Sequence, residues 1–443
     1  AWRWLHGAGA LMANASLSAW GNLDWPPAAE EARLADRAAA LPDVAGSLLP
    51  YGNGRSYGDV CLNPGGTLLQ IRGLDRFIAF DEATGVLACE AGVLLADILS
   101  VFVPRGWFLP VTPGTRYVTV GGAIANDVHG KNHHAAGSFG AHVRSFELLR
   151  SGGSRRRCSP SENADWFAAT IGGLGLTGVI TQAELQLRRI AGNSIAVRNQ
   201  RFTGLDEFFT LNSKAEAGHE YAVAWIDCMA RKPRGVLMAG DHANESMAEP
   251  RGQKTVPFTP PISLINNASL RAFNAAYYGK PWSGGWPAAQ TVHYQPYFYP
   301  LDAIGHWNRI YGPRGFYQYQ SVVPQAAARE ATGEMLAAIA ESGQGSFLAV
   351  LKTLGEQSSP GMLSFPMAGT TLALDFPNRG APTLQLFERL DAIVRAAGGR
   401  LYAAKDARMP SAMFRESYPQ WQAFQSFVDP KFSSGFWRRV MEQ

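Results

Sequence analysis

Gly172-Gly173-Leu174-Gly175-Leu176-Thr177-Gly178 contains a formal G-x-G-x-x-G at Gly173, Gly175 and Gly178. Its surroundings decide how it is read. A Rossmann dinucleotide fold needs a strand before this motif and a helix after it, so that a pyrophosphate meets a helix N-terminus. Here the order is reversed. Upstream, Ser159 is placed as an N-cap, Pro160 at the first helical position and Glu162 in a capping box, with Trp166, Phe167, Thr170 and Ile171 following at helical spacing. Downstream, Val179 to Leu187 reads as a strand. A nicotinamide-type Rossmann domain does not fit, and no GxxxxGK[ST] loop occurs.

Outward from this stretch, the first half of the chain is dense in glycine and short β-type runs. Thr67 to Ile71, Phe77 to Phe80 and Val86 to Glu90 read as strands, and Leu94 to Val103 as a helix stopped by Pro104 and Gly106. Short strands and helices mixed in this order predict an α+β domain over residues 1–190. From 191 to 346 glycines thin out and aromatics multiply, which predicts a second domain. Within it, 241–270 is polar, proline-bearing and without period, and is expected to be a long mobile loop. A chain of 443 residues is also longer than one hydrophobic core comfortably serves.

Two further glycine-bearing segments accompany the first. One is Tyr51-Gly52-Asn53-Gly54-Arg55-Ser56-Tyr57-Gly58-Asp59. The other begins at Thr112-Pro113-Gly114-Thr115 and runs through Thr119-Val120-Gly121-Gly122-Ala123 to Asn126-Asp127-Val128-His129-Gly130-Lys131. Glycine lets backbone N–H groups approach a phosphate with no Cβ in the way. Three such loops in one domain can surround a pyrophosphate, although any one alone is as readily a turn.

Bulk properties narrow the partners. With 46% hydrophobic and 17% charged residues the composition is that of a globular protein, and the net charge of +4, spread along the chain, does not imply nucleic acid. The one basic cluster, Arg155-Arg156-Arg157, is expected to be a solvated turn, the sharper alternative being a patch for lipid head groups. Cys61, Cys89, Cys158 and Cys228 form no CxxC or Cys/His spacing, and His133 and His134 stand beside His129 without i, i+4 spacing, so no metal is expected. Ala1 to Trp20 lacks the unbroken apolar core of a signal peptide, and no run reaches the ~18 residues of a membrane span.

Gly52 to Asp59 resembles the first FAD loop of the vanillyl-alcohol oxidase superfamily, whose cofactor domain is called PCMH-type. Pro110-Val111-Thr112-Pro113-Gly114-Thr115-Arg116 through His129-Gly130-Lys131-Asn132-His133-His134 is similar, more narrowly, to the branch that oxidises polyprenylphosphoryl ribose. The resemblance resumes at Trp307-Asn308-Arg309, Gln318-Tyr319-Gln320, Lys352, Asp375-Phe376-Pro377 and Gly398 through Asp406, and is weakest from Asn193 to Val292. It implies a two-domain α+β fold: a PCMH-type FAD-binding domain over 1–190, to which 347–443 returns, and a substrate (cap) domain over 191–346 built on an antiparallel sheet. It also implies that Gly52, Asn53, Gly54, Arg55, Ser56, Tyr57 and Gly58 touch FAD. Gly114, Thr115, Thr119, Val120, Gly121, Gly122, Asn126, His129, Gly175, Gly178 and Ile180 join them. Many superfamily members tether the flavin through a histidine in a G-x-G-H-S context; Arg55 stands in that place, so FAD is expected to be non-covalent.

Oxidation of an alcohol by a flavin needs a C–H aimed at the flavin N5 and a group to take the hydroxyl proton. His129, Lys352 and Tyr57 are the candidates. Lys352 ends the apolar run Phe347-Leu348-Ala349-Val350-Leu351, a setting that desolvates a lysine and lowers its pKa, although emergence on a polar strand face fits the pattern equally. Gln318 and Gln320 alternate on an expected strand, Phe316 to Val323, which puts both on one face where they can bind sugar hydroxyls. Phe298, Lys131 and Ala373 complete the expected substrate residues; Ala373 stands where some relatives carry cysteine.

The resemblance implies oxidation of the 2-hydroxyl of a polyprenylphosphoryl pentose, giving the 2-keto intermediate of a ribose-to-arabinose epimerisation that serves cell-wall synthesis. It further implies a nicotinamide-dependent short-chain reductase as partner and peripheral contact with the cytoplasmic or periplasmic face of the inner membrane. The alternatives are an aldonolactone or alditol oxidase on a soluble sugar, and a non-catalytic flavoprotein that binds or assembles.

Overall fold

The computed structural model describes residues 17–250, 252–280 and 288–442. Ala1 to Ser16, part of the stretch read for a signal peptide, lies outside them. The N-terminal half builds two sheets. Glu30–Arg33, Thr67–Gln70 and Leu48–Tyr51 form a small parallel sheet with Thr67–Gln70 in the centre. Phe77–Asp81, Val86–Glu90, Val179–Gln186, Val143–Leu149 and Arg155–Cys158 form, in that order, an antiparallel sheet of five strands. The helices Leu95–Phe102 and Val120–Ala125 pack on these sheets around a core that includes Leu87, Ile98, Leu99, Val120, Ile124 and Leu148.

A second, eight-stranded sheet dominates the rest of the chain. Its order is Ala288–His293, Ser194–Thr203, Arg234–Ala243, Tyr221–Ile226, Ala349–Leu354, Gly369–Pro377, Phe316–Pro324 and Arg400–Leu401. Every neighbour pair is antiparallel. The helices Leu205–Gly218, Ala328–Ser342 and Ala381–Ala396 cover one face. The sheet takes in Ala349–Leu354 and Gly369–Pro377, so it runs past the boundary expected at 346. Strand alternation there is masked by near-continuous burial, which leaves no compositional break to read.

Four local expectations are corrected. Ser159 does not cap a helix: its Oγ accepts the N–H groups of Ser161 and Glu162 in a turn, Asn163 takes φ 51°, and the helix is Ala164–Thr170. The same side-chain-to-backbone bond serves a turn or a cap, and the left-handed Asn163 breaks continuity between them. Arg155–Cys158 is an edge strand rather than a turn, with Arg155 paired to Glu147 and Arg157 to Glu184; charge on an edge discourages foreign strand pairing. The expected loop 241–270 is shorter, because the strand Arg234–Ala243 enters it and the helix Asn267–Gly279 leaves it. That helix is started by Asn266, whose Oδ1 accepts from Ala268 and Ser269 while Ser269 Oγ accepts the Asn266 N–H. Finally, the expected helix Leu94 to Val103 ends at Phe102 and continues as a 3₁₀ turn, Val103–Arg105.

Candidate active site

A cavity of about 790 Å³ has loops of the N-terminal half as one wall and a face of the eight-stranded sheet as the other. Its volume lies toward the upper end of the ~300–1,000 Å³ of small-molecule and cofactor sites. All three glycine-bearing segments reach it. Thr119 Oγ1 accepts the Gly122 N–H at 3.1 Å and starts the short helix Val120–Ala125. Gly52 lies so close that an added Cβ would meet Thr119 Oγ1 at 2.5 Å, and Gly54 takes φ +58°. Asn53 Nδ2 donates to Tyr117 O at 2.6 Å, tying the first loop to the second.

Most residues expected to touch a cofactor line this wall: Gly52 to Tyr57, Gly114, Thr115, Thr119, Gly121, Gly122, Asn126, His129, Gly175, Gly178 and Ile180. Two do not. Gly58 packs against backbone, where a Cβ would stand 1.9 Å from Asp406 O, and Val120 is wholly buried in the core. The wall also holds an unused acceptor. Asn126 donates through Nδ2 to Gly122 O at 2.8 Å, while its buried Oδ1 meets no partner among the described residues. A long cavity bordered by glycine backbone, with a free acceptor at its edge, suits a dinucleotide of the FAD kind.

Strand period places the opposite wall. Gln318 and Gln320 pair with Asp375 and Ala373, and Ala373 pairs on its other side with Val350. Two residues along, Lys352 pairs with Thr371. Val350 in turn pairs with Trp225. Alternation therefore delivers Gln318, Gln320, Thr371, Ala373, Asp375, Val350, Lys352 and Trp225 to one face, and all line the cavity. Phe298 and Lys131 line it from the side. Lys131 donates to Tyr297 O and lies 4.3 Å from the centre of that ring, a cation–π arrangement.

His129 is the link between the walls. Lys352 Nζ is 2.8 Å from His129 Nδ1 and donates to Gly130 O at 2.6 Å, and Gln320 Nε2 is 3.0 Å from His129 Nε2. The imidazole carries one proton, because burial first and the Lys352 charge second hold its pKa well below the ordinary value. With Gln320 donating to Nε2, that proton sits on Nδ1 and must be given to Lys352, which then needs a free lone pair. Burial, with Lys131 nearby, lowers Lys352 to about 7, so the neutral lysine is accessible at ordinary pH. When Lys352 is protonated it donates to Nδ1 instead, the imidazole proton moves to Nε2, and the Gln320 amide must turn its oxygen to receive it. Lysine charge, histidine tautomer and glutamine orientation are thus one coupled set.

A second cluster joins the expected Gln318 and Tyr57 to two residues not assigned from sequence, Asp375 and Lys405. Gln318 Nε2 donates to Asp375 Oδ1 at 2.6 Å, and Lys405 Nζ lies 4.1 Å from the centre of the Tyr57 ring. Burial raises the pKa of Asp375 and lowers that of Lys405, and each charge favours the other. Tyr57, buried and edge-on to Phe316, has its hydroxyl pKa pushed well up by burial. Lys405 follows Ala403-Ala404, two small residues after Tyr402, and only tertiary packing shows that the lysine turns into the cavity.

Comparison with known proteins adds to this geometry. A family model described as an FAD binding domain matches residues 28–159. The chain is 37% identical over 414 residues to a decaprenylphosphoryl-beta-D-ribose oxidase of Mycolicibacterium smegmatis, covering 89% of each chain. It is 32% identical over 371 residues to a Streptomyces coelicolor protein described as "uncharacterized protein in mprA 5'region", covering 79% of this chain and all of that one. A human delta(24)-sterol reductase shares 30% identity over 142 residues, covering 31% of this chain and 27% of the reductase.

Proposed function

Because the chain belongs to the decaprenylphosphoryl-β-D-ribose oxidase family of FAD-dependent oxidoreductases, we propose that it oxidises the 2-hydroxyl of a polyprenylphosphoryl-β-D-ribose to the 2-keto sugar. The observation that carries this reading is the Lys352–His129–Gln320 chain at the junction of the glycine-lined wall and the sheet. When bound, FAD supplies the acceptor for the hydride that leaves the carbon bearing the hydroxyl. The protein's task is to orient that C–H and to take the hydroxyl proton, so that alcohol becomes ketone, hydride and proton. Neutral Lys352 is the base, acting directly or through His129, which relays between Nε2 and Nδ1. Gln318 and Gln320 hold sugar hydroxyls, Tyr57 and Lys405 close the site beside them, and Ala373 leaves room for the ring.

FAD is held without a covalent bond in this reading. Arg55 occupies the tethering position and stacks 4.2 Å from the centre of the Trp20 ring. Cys61, which also borders the cavity, is pushed up to about 12 by burial and keeps its proton, so it is a poor nucleophile. The N-terminal domain, 1–190, with the C-terminal segment after the sheet strands, carries the cofactor and the eight-stranded sheet covers it. A nicotinamide-dependent short-chain reductase completes the epimerisation, and the enzyme works in peripheral contact with the inner membrane.

The test is the visible spectrum of the purified protein before and after acid precipitation, then anaerobic addition of farnesylphosphoryl-β-D-ribose. Flavin colour that leaves with the supernatant, and bleaching by the sugar lipid, are expected. Colour retained in the pellet would refute the non-covalent assignment. Bleaching by an aldonolactone or alditol but not by the sugar lipid would overturn the substrate.

A further inference from the structure

Large apolar side chains are unevenly exposed. Among the described residues eight are exposed, and five of them, Phe258, Ile262, Leu264, Phe273 and Ile304, belong to one structural neighbourhood at the cavity. The strap 253–265 is tied along the segment 300–312. Lys254–Thr255 pairs in parallel with Ile304–Gly305, Val256 N donates to Gly305 O at 2.9 Å, and Leu264 N donates to Ile310 O at 2.9 Å. Arg309 Nη1 donates to Val256 O and Pro257 O at 2.9 and 3.0 Å. Ile265 anchors the strap in a buried cluster with Leu270, Trp307, Tyr311 and Phe316, yet Phe258 is 66% and Ile262 72% exposed. Backbone bonding this regular, with the bulky side chains outside, is costly in water unless something covers them.

The cavity opens beside this face: Gln253, Phe273, Leu301, Ile304 and Gly305 line it, whereas Phe258, Ile262 and Leu264 do not. Charge selects the cover. From residue 250 to 301 the sequence holds no Asp or Glu and four Lys or Arg (Arg251, Lys254, Arg271, Lys280), in a chain that has 36 acids and 40 bases in all. Apolar side chains projecting from a segment that itself carries no acid and exposes Lys254, Arg271 and Lys280 match the interface of an anionic bilayer, where the apolar groups enter the acyl boundary and cations meet the head groups. A protein partner that is itself apolar would not require the absence of acids.

We infer that the outer face of 252–280, with Phe258, Ile262 and Leu264 as its inserted side chains, docks on an anionic lipid bilayer and sets the cavity opening at the membrane surface. The inference rests on the proposed function for its purpose, since a polyprenyl tail then stays in the membrane while the sugar enters. It does not rest on it for its test. Flotation of the holoenzyme with vesicles of phosphatidylcholine alone, or with phosphatidylglycerol added, reads binding directly. Binding to the anionic vesicles is expected, weakening with salt. The triple variant Phe258→Ser, Ile262→Ser, Leu264→Ser should lose it by more than about tenfold, and Lys254→Glu with Arg271→Glu should shift binding toward neutral vesicles. FAD content and bleaching by the soluble farnesylphosphoryl sugar should be unchanged in the triple variant, while turnover of a long-chain substrate in vesicles falls with binding. Wild-type protein that never floats with anionic vesicles, or a triple variant that floats as well as wild type, overturns the inference. So does a concentration-dependent dimer in sedimentation that the triple variant abolishes, since the face then belongs to a second copy. Vesicle binding without oxidation of either sugar lipid would instead sink the substrate reading and leave the docking face standing.

Discussion

Lys352 shows what one residue carries from sequence to chemistry. Its apolar run left a desolvated lysine and one on a polar strand face equally open, and the fold buries it 2.8 Å from His129 Nδ1. Its pKa of about 7, lowered by burial and by Lys131, has a definite sign for activity. Below that value Nζ is a cation without a lone pair, and above it the lone pair is free. Reduction of the bound flavin by substrate should therefore fall about tenfold per unit as pH drops below 7 and level off above it, which anaerobic stopped-flow bleaching across pH 5.5 to about 9 measures. Lys352→Met should slow that step by about 10²–10⁴-fold and abolish the pH break while FAD remains bound. His129→Asn should give a loss of similar size. Normal turnover in both variants would remove these residues from the mechanism. Lys405 and Asp375 were not legible as site residues, because nothing in a local pattern says that a lysine after two alanines faces an aspartate thirty residues upstream.

At the scale of elements, the alternation of Gln318 and Gln320 correctly put both on one face, but the face was legible only up to its polarity. Register across three strands decided the rest, bringing Ala373 between Gln320 and Val350 and Thr371 beside Lys352. Ala373 is the small residue on that floor, so Ala373→Phe should fill the space above Gln320. The expected effect is a rise of at least about tenfold in KM, or about 1.4 kcal/mol, with FAD content unchanged in steady-state assays. The glycine loops behave differently. At Gly52 a side chain would strike Thr119 Oγ1 at 2.5 Å. Gly52→Val should weaken FAD itself, by about tenfold or more in a fluorescence titration of the apoprotein, and a variant that retains full FAD affinity would disprove the close approach. The helix expected to start at Ser159 failed for a local reason: a Ser oxygen satisfies a turn as well as a helix, and only the backbone of Asn163 chose.

Across the whole molecule the helix Gly435–Met441 is tied to the first glycine loop. Arg439, in the helix Gly435–Met441, donates to Asp59 Oδ1 at 2.7 Å and Asp406 Oδ2 at 3.0 Å, and both carboxylates are buried. Arg439→Met leaves two buried carboxylates facing each other without their cation. It should destabilise the protein by about 3 kcal/mol or more in urea unfolding, and lower FAD retention, because Asp59 closes the loop that begins at Gly52. No described helix is long and apolar enough to cross a membrane.

The class of fold and the glycine-lined wall of the cavity were legible in the sequence alone. Glycine at set places, a helix before Gly173 and a strand after Gly178 are local facts, and local sterics make them legible one residue at a time. The opposite wall became legible only once the strands were paired in three dimensions. The eight-stranded sheet draws strands from residues 194 to 401, and the strands that bring Lys352, Thr371, Ala373 and Gln320 together are joined by long connections, one carrying the helix Ala328–Ser342, whose pairing no short window encodes. That the sheet continues across residue 346 was hidden for the same reason, since a strand buried on both faces looks alike whichever sheet it joins.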